Sequence, residues 1–527
     1  MKLDSNAIPL AVCALSLAIF SLARARLVSL GAEGPVQARY LTGDEPAYML
    51  LAHSLVADGD FNLYNNRVNK DGRFFGMERC DEHGARKDWG KKEIYSIHTP
   101  GLAILIAPAY ALGLHGPLAP RTTVCLFMNL LAAMLAVNLY LFCIEISGSG
   151  GKPPWPALLG TASVVLTPPV IFYSNLVYPE LPAALLILYT LRHVTLSAPS
   201  ASSFTLCSTN RRAGEPANRR VDTARNGVMA FRGTGDFEAL KSPARPFAVS
   251  PSRRFADSPA RRLAVSCAIA ALPWLSFRFF LPALILLWLL LKGTQRGEGA
   301  RQRISAVFAI PFCISLLLFF YYQYVAFGTL NPAAGYVYQD FARRGFFSKG
   351  MLDGAFGLLF DEGHGILTWS PVYILSLTGL LLLIRERRQL GLLLLLLLLA
   401  IYLPGANFVF WWGGFAPPPR YMVVPAPLLG ALLCYALSKN PRTSFISLYG
   451  LLLAASLLFG YVGCRRPGLL YKHRHIVTNY RPRVMTHLFP SFIHTRASTW
   501  PLAAAWGSVI LVINGYFFLR WKPKRNQ

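Results

Sequence analysis

Acidic residues are scarce in this chain: 25 Asp and Glu stand against 52 Lys and Arg among 527 residues, and charged side chains of both signs make up only 15%. So little charge, beside 54% hydrophobic residues and a mean hydropathy of +0.40, excludes an ordinary soluble domain and a disordered chain. No CxxC pair occurs, which argues against a zinc or redox site of that type. Cys13, Cys125, Cys143, Cys267, Cys313 and Cys434 fall inside apolar runs, where Cys acts as a small hydrophobe; of the remaining three, only a Cys80–Cys464 pairing is left open. There is no repeat of solenoid length and no small-residue cleavage pattern after the first apolar run, so residues 7–23 read as an uncleaved signal anchor.

Long apolar runs are what the chain does have. They lie near 7–23, 118–144, 157–174, 181–197, 304–327, 366–384, 390–404, 421–437, 443–462 and 501–520, and reach or approach the ~20 residues that cross a ~30 Å hydrocarbon layer. The stretch 263–292 is broken by Leu-Pro-Trp-Leu-Ser-Phe-Arg at 272–278. One Arg at the bilayer centre costs at least ~2.5–3.5 kcal/mol, so two helices, 263–275 and 280–292, with Arg278 at their apex are cheaper than one span. Run 101–115 would be only ~22 Å long as a helix and reads as lying in or dipping into the interface. The expected architecture is therefore all-α and polytopic, with about twelve transmembrane helices, both ends cytoplasmic and an outer-facing first loop containing juxtamembrane helices. Lys and Arg number 14 in 46 residues of the short inner segments and 12 in 99 of the outer segments after the first, as the positive-inside rule requires. The net charge of +27 is spread between spans, which fits membrane lipid rather than nucleic acid.

Segment 24–117 is the first outer loop. Its residues 24–100 hold 11 of the 25 acids together with 11 Lys and Arg, the mark of a folded, charged cap. It opens with Thr42-Gly43-Asp44-Glu45-Pro46-Ala47-Tyr48-Met49 and an amphipathic run to about Ala57. Pro46 suits the first turn of a helix, placing Asp44 and Glu45 at its N-terminus, where the dipole favours an ionised carboxylate. Asp44 there is either a cap or a base able to take a proton from a hydroxyl. Further on, Tyr95-Ser96-Ile97-His98-Thr99-Pro100-Gly101 puts His98 at the edge of the next helix, as a structural hydrogen-bonder or a ligand-binding group.

Gly-Asp-Glu-Pro-x-Tyr after the first span, Ser-Ile-His-x-Pro-Gly at the end of the first loop, and Trp411-Trp412-Gly413-Gly414 with Pro419-Arg420-Tyr421 together resemble the GT-C glycosyltransferases, among them protein O-mannosyltransferases and the aminoarabinose transferases that modify lipid A. The resemblance covers 1–385 well, implying a GT-C catalytic transmembrane module there, and 386–527 poorly, leaving these as C-terminal transmembrane helices. It implies transfer of a sugar, with inversion, from a polyprenyl-phosphate carrier to an outer-face acceptor hydroxyl on a glycolipid, cell-envelope glycan or protein, in a bacterial inner (cytoplasmic) membrane. It also implies Asp44 as catalytic base, with Glu45 completing the acidic pair. A lipid phosphate is already a good leaving group, so the reaction needs one base and cations to hold the departing charge. Arg420, beside Tyr421 at the outer end of a span, is the best placed cation, followed by Arg278, which alternatively snorkels, and then His98.

Glu180, in Ser174-Asn175-Leu176-Val177-Tyr178-Pro179-Glu180, resembles an acidic position near sugar or acceptor, with capping as an equal contender. Loop 328–365 carries Tyr336, Tyr338, Asp340, Arg343, Arg344 and His364 and takes the place of the family's second functional loop. Segment 198–262, with 12 Lys and Arg and no periodicity, reads as a disordered cytoplasmic loop. Outer loop 463–500 has seven cations and no acid, suiting either an anionic acceptor or ordinary lipid headgroups. No metal ligand set is assigned, although the resemblance leaves room for a divalent ion. A transporter or flippase of lipid-linked saccharides is the alternative; it would place ionisable groups at mid-membrane, whereas these acids lie at the outer face or in loops.

Overall fold

The computed structural model describes residues 7–29, 43–77, 85–88, 90–148, 154–196, 259–294, 307–338, 350–414, 416–465 and 488–521. Most of segments 198–262 and 463–500, and Asp340, Arg343, Arg344 and Cys80, lie outside the described residues.

After α1 (Ala7–Ser29) comes a cap made of α2 (Glu45–Ala57), α3 (Tyr64–Val68), a 3-10 turn at Asp71–Phe75, and strands β1 (Ala85–Asp88) and β2 (Glu93–Ser96). The strands pair antiparallel, Ala85 opposite Ser96 and Asp88 opposite Glu93. The chain continues as α4 (Gly101–His115), α5 (Pro120–Ser147), α6 (Trp155–Val165), α7 (Val170–Tyr173), α8 (Glu180–Leu196), α9 (Pro259–Leu275), α10 (Phe280–Thr294) and α11 (Ile310–Phe327). It ends with α12 (Ala334–Tyr338), α13 (Met351–Phe360), α14 (Ile366–Trp369), α15 (Ser376–Glu386), α16 (Arg388–Ala406), α17 (Pro425–Lys439), α18 (Thr443–Arg465) and α19 (Thr499–Arg520).

Among the described residues, five helices, α5, α11, α16, α18 and α19, are long and apolar enough to cross a membrane. Helix α5 starts on Pro120 and stops where Gly148 takes a φ of +64°, and its 28 residues make a rod of about 42 Å. Apolar side chains on three of these helices point away from the protein, Leu317 at 70%, Leu451 at 68% and Val512 at 71% exposure, which only a lipid surround makes favourable. Proline interrupts several runs that hydropathy alone reads as continuous. Pro168 and Pro169 separate α6 from α7, and Pro371 opens a 3-10 segment between α14 and α15. The break at 272–278 is real: α9 stops at Leu275, Phe277–Phe279 form a 3-10 turn, and α10 starts at Phe280.

Helix α17 is buried almost along its whole length and packs on α5, α6 and α15. The α15 crossing needs Gly379, where a Cβ would fall 1.8 Å from the Leu432 carbonyl oxygen. On the cap side, α2 is fastened to α4 by His53, whose Nδ1 lies 3.0 Å from the Tyr110 hydroxyl and whose Nε2 is 3.6 Å from Asp71. Burial holds the His53 pKa below its usual value.

Ionic groups gather at the two ends of the bundle. One end holds Arg192 paired with Glu145 at 2.7 Å and Lys439 paired with Glu386, at the C-termini of α8, α5, α17 and α15. The other end, where α2, α5 and α8 begin and α9 meets α10, holds the candidate site.

Candidate functional site: an arginine and carboxylate ladder

Asp44 stands at the N-cap of α2, yet its side chain makes no capping bond. It reaches instead to Arg420, whose Nη2 lies 2.5 Å from Asp44 Oδ2. Arg420 Nε donates to Glu180 Oε1 at 2.7 Å, and Arg278 donates to that same oxygen. Four side chains from α2, the first residue of α8, the turn between α9 and α10, and the 3-10 turn Arg420–Met422 thus form one ladder. Asp44 and Arg420, 376 positions apart in sequence, are thus in direct contact.

Local backbone explains how Arg420 arrives there. Gly413 sits at φ +96°, and a Cβ on it would come within 2.8 Å of the Arg420 Cβ. Glycine at that step lets the Trp411-Trp412-Gly413-Gly414 turn lie against the Arg420 stem. Aromatic faces then line the guanidinium groups: Arg420 lies 4.6 Å from the Tyr178 ring centroid, and Arg278 lies 4.6 Å from that of Tyr421. Arg278 therefore turns inward to Glu180 rather than snorkelling.

Burial is uneven along the ladder. The side chains of Glu180 and Arg420 are 0% and 8% exposed, whereas Asp44 keeps 25% of its surface open. Burial by itself raises the Asp44 pKa, but the charges of Arg420 and His98, the Arg420 hydrogen bond and the Arg278 charge outweigh it and hold the carboxyl at about 2. His98 Nε2 is 3.8 Å from Asp44 Oδ1, and its ring lies 5.0 Å from that of Tyr48.

Glu45 has a different environment from its neighbour. It is fully buried, accepts the Val177 backbone N–H at 2.7 Å through Oε1, and has Arg121 3.4 Å from Oε2. Those contacts tie the start of α2 to the segment before α8 and to the start of α5.

Sequence reasoning missed Tyr178, Tyr48 and Arg121. Tyr178 stands beside the Pro179-Glu180 pair, and that adjacency was its only signal. His364 belongs elsewhere, in a turn where Asp361 Oδ1 accepts the N–H groups of Gly363 and His364 at 2.9 and 3.0 Å and Asp361 Oδ2 accepts that of Phe492 at 2.8 Å. Tyr336, on α12, packs 5.1 Å from Phe277 and 5.8 Å from Phe408, beside the arginines. Cys464 is a free thiol.

A divalent ion fits this set of side chains poorly. Asp44 and Glu180 direct oxygens to arginines, and among the described residues no three His, Cys, Asp or Glu side chains gather as ligands.

No protein-family model and no curated protein matches the chain. Similarity is found to solved structures of the oligosaccharyltransferase of Archaeoglobus fulgidus. With the form tethered to an acceptor peptide containing the NVT sequon, the TM-score is 0.44 at 11% identity, over 99% of this chain and 60% of that one. With the complex of an inhibitory peptide and a dolichol-phosphate, it is 0.42 at 11% identity, over 98% and 60%. This chain thus spans about three fifths of the length of those chains. At such TM-scores, what this chain does rests on its own residues.

Proposed function

We propose that the chain is an integral membrane glycosyltransferase of about twelve spans, moving a sugar with inversion from a polyprenyl-phosphate carrier to an acceptor hydroxyl at the outer face of the cytoplasmic membrane. The observation that carries this reading is the ladder itself: a partly open carboxylate bonded to a buried arginine pair. In the reaction, the acceptor oxygen bonds to the anomeric carbon as the bond from that carbon to the phosphate oxygen breaks. Asp44 takes the hydroxyl proton, and Arg420 and Arg278 receive the charge that collects on the departing phosphate. Glu45 holds α2 in place rather than taking part in chemistry.

A groove of about 650 Å³ between α4, α5, α8 and α9 supports a lipid-borne donor. Its lining includes Ile104, Leu105, Met134 and Leu185, together with Gly101, three residues past His98, and Trp274, four residues before Arg278. A prenyl chain there would bring its phosphate to the arginines. The placement of cations such as Arg192, Arg385, Arg388 and Lys439 at the end away from the ladder supports the orientation. Ionic groups at helix ends favour surface chemistry over a transport path.

The test is mass spectrometry of lipids and glycans in a deletion strain. A species lacking one sugar appears, and wild-type protein restores the sugar while Asp44→Asn, inserted at equal level, does not. Restoration by Asp44→Asn would remove the base from its role, and an unchanged lipid and glycan profile in the deletion strain would end the transferase reading.

A further inference from the structure

The ladder is electrically balanced. Asp44 and Glu180 supply two negative charges, Arg278 and Arg420 supply two positive ones, and each guanidinium already has a carboxylate partner. Glu45 and Arg121 form a separate pair beside it. Within this ladder an arriving phosphate therefore meets no guanidinium lacking a counter-charge, and docking there either adds an anionic charge in a buried place or replaces one of the carboxylates.

The two carboxylates are not equally replaceable. Glu180 is fully buried, and one of its oxygens takes both arginines, so removing it would leave two buried guanidinium groups side by side, Arg278 without its ion-pair partner and Arg420 with Asp44 alone. Among the described residues, the Asp44 side chain meets Arg420 alone at hydrogen-bonding distance, has His98 farther away at 3.8 Å, and is the most open member of the ladder.

We infer that the donor phosphate takes the place of Asp44 on Arg420, so that docking the donor is what releases the base, while Glu180 stays and keeps the two arginines together. This rests on the lipid-phosphate reading above. Without donor, Asp44 is bound and idle; with donor, its carboxylate is free to turn to the acceptor hydroxyl. No bond is made or broken in the exchange, which swaps one oxyanion for another on Arg420 Nη2. The low pKa of Asp44 is consistent with this, because losing Arg420 moves the carboxyl back toward its ordinary value and makes it a stronger base.

The experiment measures binding of farnesyl phosphate, with inorganic phosphate in parallel, to the purified full-length protein. Removing the competing carboxylate in Asp44→Asn should tighten farnesyl phosphate binding about tenfold although transfer is lost, and Arg420→Ala should lose binding. Equal or weaker binding by Asp44→Asn would overturn the exchange. Binding by neither protein would overturn both the exchange and the lipid-phosphate reading, whereas wild-type binding without the gain sinks the exchange alone. Preference for farnesyl over inorganic phosphate supports a lipid-borne anion, and equal affinity for the two overturns that source. Wild-type protein labelled with carboxyl-¹³C aspartate gives a readout independent of any variant's folding: adding farnesyl phosphate should shift an aspartate carboxylate band in the infrared difference spectrum, and an unchanged spectrum at saturation counts against release.

Discussion

Arg278 and Arg420 donate to one and the same oxygen of Glu180. Two like charges are thereby held together by a carboxylate that has no contact with solvent, an arrangement that costs more to break than to keep. Glu180→Ala should destabilise the protein by about 3–5 kcal/mol, through loss of the carboxylate that the two buried cations share. Thermal unfolding in detergent measures this; a loss below about 1 kcal/mol would mean that the arginines find other partners.

Arg420 uses two different nitrogens for its two carboxylates, Nε for Glu180 and Nη2 for Asp44. A lysine offers one point charge and cannot serve both in that geometry. Arg420→Lys should therefore retain part of the donor affinity that Arg420→Ala loses while still transferring sugar poorly. Titration with farnesyl phosphate checks this, and identical affinities for the two variants would argue against a forked contact.

Gly413 offers a test that leaves every charged group in place. Alanine there would carry positive φ strain of about 1–2 kcal/mol and would press on the Arg420 Cβ, 2.8 Å away. Gly413→Ala should lower transfer at least tenfold at saturating donor. Unchanged turnover would show that Arg420 tolerates a shifted stem.

The pH response of Asp44 has a definite sign. Its carboxyl is held at about 2, below the ordinary 3.8. A group with a depressed folded pKa stabilises the fold above its unfolded value and loses that contribution as pH falls through the folded one. The thermal advantage of wild type over Asp44→Asn should thus be full above about pH 5, shrink below pH 4 and vanish near pH 2. Unfolding midpoints across that range decide it, and a constant advantage would mean that the ion pair does not form.

Asp361 organises the far side of the same end of the protein. It accepts backbone N–H groups of Gly363, His364 and Phe492, all buried. Asp361→Ala strands three donors at about 1–3 kcal/mol each, so the variant should unfold at markedly lower temperature and expose residues 488–499 to protease. Resistance equal to wild type would show that other acceptors step in.

Much of the site was legible because its residues sit at helix ends that proline marks. Asp44 precedes Pro46, Glu180 follows Pro179, Arg278 follows the Pro273 break and Arg420 follows Pro419, so each could be placed at the edge of a span from local rules alone. What joins them was not legible, because the pairing of Asp44 with Arg420 depends on how α2 and the turn before α17 meet in space. The separate fates of Asp44 and Glu45 were hidden for the same reason: adjacent residues on a helix point in different directions, and only packing shows that one meets Arg420 and the other the Val177 amide. Hydropathy also ran α6 into α7 and α14 into α15, since an averaged apolar window does not register a proline that leaves the composition unchanged.

The flush contact of Gly379 with Leu432 leaves α15 and α17 no room for a side chain between them. Helix α17 is clamped along its length, so Arg420 at its foot acts as a stator, set against the body of the bundle. Asp44 stands at the head of a thirteen-residue helix that is itself buried from Tyr48 to Ser54 and packed on α4. On the proposed reading, the exchange at Arg420 is then a rotation of the Asp44 side chain with α2 standing still, so cross-linking α2 to α4 should leave turnover running, and a stalled turnover would show that the helix itself has to shift.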